Sequence, residues 1–231
     1  MTPKNDKNIP LKVLIETQTG NSDAEKLISG LEKMQNFLEM QQLYRSAIAE
    51  ITTKLEILDD EFSVRYDYNP IHHIESRLKS TPSILEKLLR KGLTVDIETA
   101  KSELTDIAGV RVICNYVEDI YRIADMLTSQ DDIILECKRD YIQAPKPNGY
   151  RSLHLIVRVP VFLSNKRELV TAEVQIRTIA QDFWASLEHH LRYKSTTEVP
   201  DELRKRLKTC ADTGAALDAE MQSIFCQLKE K

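Results

Sequence analysis

Residues 151–163, RSLHLIVRVPVFL, and 168–177, ELVTAEVQIR, decide the fold. Both runs are long and rich in β-branched residues. Ser164-Asn165-Lys166-Arg167 between them is polar and of turn length. The pair predicts two long strands joined as a hairpin. On the second strand Glu173, Gln175 and Arg177 share one face, and Ala172, Val174 and Ile176 share the other. A carboxylate, an amide and a guanidinium in a row are costly unless that face is wet or binds something polar. A solvent-exposed face with a surface salt bridge is the competing explanation.

Upstream, residues 110–116 (VRVICNY) read as a strand, 119–129 as a helix and 132–138 as another strand. Downstream, 178–194 read as a helix holding the only tryptophan, Trp184. Residues 24–62 are helical in pattern: Tyr44, Ile48, Ile51, Leu55, Leu58 and Phe62 recur four and three apart. A further helical run is expected over 70–91, with Asn69-Pro70 as its start and Gly92 as its stop. A short helix over 97–107 ends at Asp106, just before Gly109. The last helix spans 200–229, with a seam of Leu203, Leu207, Cys210, Gly214, Leu217, Met221, Ile224 and Leu228. Such a seam packs along another helix, in the same subunit or across a subunit interface. The expected class is α+β, a central mixed or antiparallel sheet flanked by helices, with helical N- and C-terminal extensions. Residues 1–25 are expected to be a loosely ordered N-terminus, 26–200 the main domain, and 201–231 a C-terminal helix serving as an oligomer contact.

Composition removes several classes of function. The 231 residues are 42% hydrophobic and 29% charged, ordinary for a soluble globular chain. No apolar run is long enough to span a membrane, and the first residues lack the apolar core of a secretory signal. The four cysteines (Cys114, Cys137, Cys210, Cys226) form no CxxC pair, which fits a reducing, cytoplasmic location. A net charge of −4 argues against a generic duplex-DNA binder. Basic charge is local instead: residues 75–91 carry five basic against two acidic residues, and 136–154 four against two. Such islands suit nucleotide phosphates. Solvated helix and loop faces are the plainer account of them.

The phosphate devices that rely on backbone are missing. The chain has six glycines and neither GxxxxGK[ST] nor GxGxxG. Bound phosphates must therefore meet Lys and Arg side chains, with a metal held by carboxylates. His72-His73 and His189-His190 are adjacent pairs without an HExxH pattern, so a catalytic zinc is not expected. The most unusual stretch is Asp140 to His154, DYIQAPKPNGYRSLH. Two prolines stiffen it, and Asn148-Gly149 allows a positive φ. It presents Lys146, Tyr150, Arg151 and His154 together. Tyr150 is placed to stack on a base or to anchor the loop in the core.

Four motifs occur in order: RLKSTPSILEK (77–87), DIAGVR (106–111), the 140–154 stretch, and EVQIRT (173–178). Together they resemble the synthetase domain of the RelA/SpoT homologue superfamily. The short chain is most similar to its small alarmone synthetases, of the RelP-like branch. NPIHH (69–73) and FWASLEH (183–189) extend the resemblance over about residues 40–230.

The resemblance implies a nucleotidyltransferase-like fold and a reaction. The β,γ-pyrophosphate of ATP passes to the 3′-hydroxyl of GDP or GTP, giving AMP and ppGpp or pppGpp. By the same resemblance Arg77 and Arg111 sandwich the adenine, with a planar guanidinium suited to stacking. Lys79, Ser83 and Lys87, expected on one helix face, contact the ATP phosphates. Asp106 and Glu173 hold Mg²⁺, and Glu173 is the candidate general base. Lys138, Arg139 and Lys146 fall near the polyphosphate contacts. Tyr150 stacks on guanine, His154 lies beside the acceptor, and Gln175 and Glu188 are weaker acceptor-site candidates. Relatives are homotetramers. The His–Asp metal motif of the long members' hydrolase domain is missing, so alarmone hydrolysis is not expected. The alternatives are transfer to the 3′ end of tRNA, disfavoured by a pI of about 5.8, a catalytically idle nucleotide sensor, and a helical scaffold. No obligatory nucleic-acid or membrane partner is expected.

Overall fold

The computed structural model describes residues 21–194 and 200–229. Its elements in chain order are α1 (Asn21–Arg65), β1 (Ile71–Leu78), α2 (Thr81–Arg90), α3 (Ile97–Glu103), β2 (Ala108–Cys114) and α4 (Val117–Thr128). Then follow β3 (Ile134–Asp140), β4 (Leu153–Phe162), β5 (Arg167–Thr178), α5 (Ile179–Lys194) and α6 (Asp201–Lys229). The chain divides into two compact units after Gln42, and the sheet and all features below belong to Leu43–Lys231.

The predicted hairpin is β4–β5, paired from Leu153 opposite Ile176 to Phe162 opposite Arg167. It sits inside a five-stranded sheet of order β1-β2-β5-β4-β3. Strands β2 and β5 run parallel and every other pair antiparallel, so the sheet is mixed. The apolar phase of the central strands is fully buried: Val110, Val112, Leu155, Val157, Ala172, Val174 and Ile176. Helix α4 contributes Ile120, Ile123, Ala124 and Leu127 to the core and packs on β2 and β5. Within its Leu43–Arg65 portion, α1 buries Tyr44, Ile51, Leu55 and Phe62 as the spacing predicts.

The expected helix over 70–91 is corrected. Its first half is β1, an edge strand antiparallel to β2. Asn69 starts it by a turn, its Oδ1 accepting the Ile71 N–H at 2.9 Å. The strand ends at Leu78, and Ser80 then caps α2, with Pro82 in the first turn. The helix expected over 97–107 stops at Glu103, so Asp106 stands in the extended link to β2 rather than on a helix.

Helix α6 is fastened along one side. Trp184 Nε1 donates to the Leu207 carbonyl at 2.8 Å, and Thr178 Oγ1 to Asp218 Oδ2 at 2.7 Å. Phe225 stacks on Tyr116 with centroids 4.2 Å apart. Leu203, Leu217, Met221, Ile224 and Leu228 of the predicted seam remain exposed on this chain. Among the described residues no helix is long and apolar enough to cross a membrane.

Candidate functional site

A pocket opens on the polar face of the sheet. Its lining is Glu75, Ser76 and Arg77 of β1, Gly109, Val110 and Arg111 of β2, Glu173 and Gln175 of β5, and Asp106. Strand register explains this meeting. Arg77 lies opposite Gly109 and Glu75 opposite Arg111, while Gly109 lies beside Glu173 and Arg111 beside Gln175. Arg77 and Arg111 are therefore diagonal neighbours on one face, a separation of about 7–8 Å between backbones. Gly109 stands between Arg77 and Glu173 and leaves the floor open. A Cβ there would meet Arg77 Cγ at 3.7 Å, so glycine supplies space rather than relief of strain.

Asp106 closes one side. Lys79 Nζ reaches its Oδ2 at 3.1 Å and Lys87 Nζ at 2.7 Å. Burial opposes ionisation of Asp106, but the two ammonium groups prevail and hold its pKa below the ordinary carboxylate range. The lysines converge by a route the sequence pattern missed. Lys79 follows β1, with its N–H bonded to the Ile107 carbonyl at 2.8 Å, whereas Lys87 projects from α2. They do not share a helix face. Ser83 is occupied at the start of α2, where Ser80 Oγ donates to its hydroxyl at 2.9 Å.

Asp106 Oδ1 is buried without a hydrogen-bond partner. A buried acceptor of this kind calls for a cation or a donor from a ligand. Among the described residues no three His, Cys, Asp or Glu side chains gather as a metal cage. Mg²⁺ needs no such cage, because it keeps several waters and takes one or two carboxylates plus phosphate oxygens. The free Oδ1 of Asp106 and the Glu173 carboxylate in the same pocket fit that requirement.

Glu173 joins the pocket to a second set of residues. Its Oε1 lies 3.0 Å from His154 Nδ1, and its Oε2 accepts Gln175 Nε2 at 2.8 Å. Burial raises its pKa, yet the hydrogen bond and charge of His154, together with Gln175, lower it further. Glu173 is thus ionised at neutral pH. His154 Nε2 lies 2.8 Å from Tyr150 Oη, and Arg177 Nη2 donates to that oxygen at 2.6 Å and to Gln175 Oε1 at 2.7 Å. Arg177 can only donate, so the Tyr150 oxygen accepts from it, while the donor in the Tyr150–His154 contact follows the imidazole tautomer.

The loop before β4 carries Tyr150 into place. Gly149 has φ +91° and sits against α6. Arg151 Nη1 donates to the Gly149 and Ala211 carbonyls at 3.1 and 3.4 Å. Tyr150 packs on the cluster of Trp184, Ala185 and Ala211. Tyr150 thus anchors the loop, as one of its two sequence readings expects, and its hydroxyl also meets His154. Lys146 lies over the rings of Tyr141 and Tyr150, at 4.5 and 4.7 Å from their centroids. Asn148 Nδ2 donates to Glu188 Oε1 at 3.4 Å.

Other candidates lie apart. Arg139, paired with His154 in the β3–β4 register, is exposed on the edge strand. Lys138 points the other way, to Asp125 of α4 at 4.0 Å. The structure does not bring Lys138 to the pocket. Two participants, Glu75 and Asp182, escaped the sequence reading, and Arg177 was read only as one member of a polar row. Glu75 pairs with Arg111 at 3.3 Å, Asp182 bridges Arg111 and Arg177, and Arg177 is the hub of the Tyr150–Gln175 bonds. Glu75 was hidden by the helical reading of β1. Asp182 sits five residues after Arg177, a spacing that carried no signal without the strand–helix junction.

Comparison with known proteins places this geometry. Residues 76–198 match the family model described as a region found in RelA / SpoT proteins. The chain belongs to the RelA/SpoT family. It is 47% identical to the GTP pyrophosphokinase YwaC of Bacillus subtilis, over 79% of this chain and 87% of that one. Two solved structures share the fold of this RelA/SpoT chain. Small alarmone synthetase 2 of B. subtilis has a TM-score of 0.76 at 44% identity, covering 83% of this chain and 99% of that one. Small alarmone synthetase 1 of B. subtilis, bound to its product pppGpp, has a TM-score of 0.75 at 36% identity, covering 80% and 93%.

Proposed function

We infer that the chain is a GTP pyrophosphokinase. It transfers the β,γ-pyrophosphoryl group of ATP to the 3′-hydroxyl of GDP or GTP and releases AMP, making ppGpp or pppGpp. One observation carries the assignment to this site. Glu173 is shared by two half-sites: it lines the pocket with Arg77, Arg111 and Asp106, and it is hydrogen-bonded to the His154–Tyr150 pair.

Arg77 and Arg111 flank the adenine as diagonal neighbours on the sheet face. Lys79 and Lys87 bind the triphosphate by exchanging Asp106 for phosphate oxygens, while Ser83, Arg139 and Lys146 border the path of the phosphates. Tyr150 stacks on guanine, with His154 and Gln175 against the acceptor nucleoside. Asp106 Oδ1 and Glu173 would hold Mg²⁺, which when bound neutralises charge on the transferred group. The acceptor 3′-oxygen attacks the β-phosphorus, the bond from that phosphorus to the α-phosphate oxygen breaks, and AMP leaves with the oxygen. Glu173, ionised before the reaction, accepts the hydroxyl proton.

The exposed Leu203–Leu228 seam of α6 supports self-association, and the family resemblance sets the expected state as a homotetramer. A cytoplasmic location suits a chain with free cysteines and nucleotide substrates. The deciding experiment mixes the protein with Mg²⁺, ATP and GDP or GTP and resolves nucleotides by anion exchange. AMP is expected in step with a guanosine tetra- or pentaphosphate. AMP formed only when tRNA is added would replace this reading by transfer to RNA, and no AMP at all would leave a binding module.

A further inference from the structure

We propose that Asp182 is a positioning residue that couples the two nucleotide half-sites. The proposal rests on the assignment of Arg111 to the donor and Tyr150 to the acceptor. Asp182 lies in the first turn of α5, directly after β5. Its Oδ1 accepts Arg177 Nη1 at 3.1 Å and meets Arg111 Nη1 at 3.3 Å. One carboxylate oxygen therefore holds two guanidinium groups on adjacent parallel strands.

The two arginines serve different sides. Arg111 lines the pocket beside Glu75. Arg177 is 4% exposed and spends its other nitrogens on Ser152, Tyr150 and Gln175. Two cations at this depth repel each other, and burial and Arg177 both act against the charge of Arg111. Asp182 is the anion that lets them stand together, because Glu75 is 54% exposed and touches only Arg111 of the pair. Loss of its charge releases Arg111 from its place over the donor and frees Arg177, with the Tyr150 hydroxyl, on the acceptor side. Asp182 touches no reacting atom; it acts through both arginines.

The test compares Asp182→Asn with Glu75→Gln. Dissociation constants are measured by calorimetry for a non-hydrolysable ATP analogue and, separately, for GDP, each with Mg²⁺. Asp182→Asn is expected to weaken both nucleotides by about tenfold, the scale of a lost charge-assisted hydrogen bond. Glu75→Gln is expected to weaken the ATP analogue alone. Asp182→Glu, which keeps the charge on the same helical turn, is expected to hold both affinities within about threefold of the parent. The proposal is overturned if Asp182→Asn shifts one nucleotide only, if it shifts neither, or if Asp182→Glu loses as much as Asp182→Asn. Failure of the underlying assignment looks different: Glu75→Gln then leaves the affinity for the ATP analogue unchanged, or the unsubstituted protein binds neither nucleotide and releases no AMP.

Discussion

Replacing Gly149 by Ala should damage both stability and acceptor binding, and the damage can be divided. Gly149 has φ +91°, a conformation that L side chains rarely adopt, and a Cβ added there would lie 2.6 Å from the Ala211 Cβ on α6. The backbone cost is about 1–2 kcal/mol, and forcing a methyl into a packed contact costs about 1–3 kcal/mol. Together they predict a loss of roughly 2–5 kcal/mol, or about 4–20 °C in melting temperature for a chain of this size. The two parts separate in a double-mutant cycle with Ala211→Gly. That change alone costs about 1 kcal/mol as a glycine inside a helix. In the double variant the clash is gone while the backbone strain stays, so the pair should be more stable than additivity predicts by about 1–3 kcal/mol. Urea unfolding at one fixed protein concentration measures it, since self-association shifts apparent stability. Additivity within about 0.5 kcal/mol would refute the contact between the Asn148-Gly149 turn and α6. Because Tyr150 follows Gly149, the single variant should also raise KM for GDP more than KM for ATP.

Asp106→Asn should lower AMP formation by about 10²–10³-fold while the chain stays folded by circular dichroism; full activity in Mg²⁺ would remove Asp106 from the mechanism. Tyr150→Phe keeps the ring but deletes the oxygen that joins Arg177 and His154, so KM for the acceptor should rise about fivefold or more with KM for ATP little changed. If only the ATP dependence moves, Tyr150 does not serve the acceptor. Asp218→Asn probes pH. Burial raises the Asp218 pKa despite the Thr178 hydrogen bond, so folding favours its protonated form. The ionised form costs stability fully above the raised folded value, and that cost fades as pH falls to the unfolded value of about 3.9. Asp218→Asn should therefore stabilise the protein at pH 7 and lose that advantage near pH 4; thermal melts across this range check it. A variant equally destabilised at both pH values would show that the carboxylate is retained for its hydrogen bonds.

How much of this was legible in the sequence follows from where the information lies. Strand β5 and helix α4 write their burial into local period, since Ala172, Val174 and Ile176 face the core while Glu173 and Gln175 do not, whereas β4 is buried on both faces. Strand β1 carries no such record. As an edge strand over an open pocket it buries fully only Ile71 and alternates weakly, so IHHIESRL reads as readily as a helix. That one misreading hides the site's geometry. With β1 helical, Lys79 and Lys87 share a face; with β1 a strand, Lys79 leaves the sheet edge and meets Lys87 only at Asp106.

Pairing order is the second missing layer. The ordered motifs named the family and listed Arg77, Asp106, Arg111 and Glu173 as candidates. Nothing local states that β2 lies parallel to β5, which sets Gly109 beside Glu173 and Arg111 beside Gln175. Polar contacts across that seam follow from register alone. Arg111 and Arg177 stand 66 residues apart in sequence yet share Asp182. A row of polar residues on a strand left a wet face and a binding face equally open; the strand beside it shows that the row lines a pocket. The shared physics is a charge balance: Lys79 and Lys87 meet Asp106, Arg111 meets Glu75 and Asp182, and Arg177 meets Asp182 and the Tyr150 hydroxyl, partners with which a bound nucleotide competes.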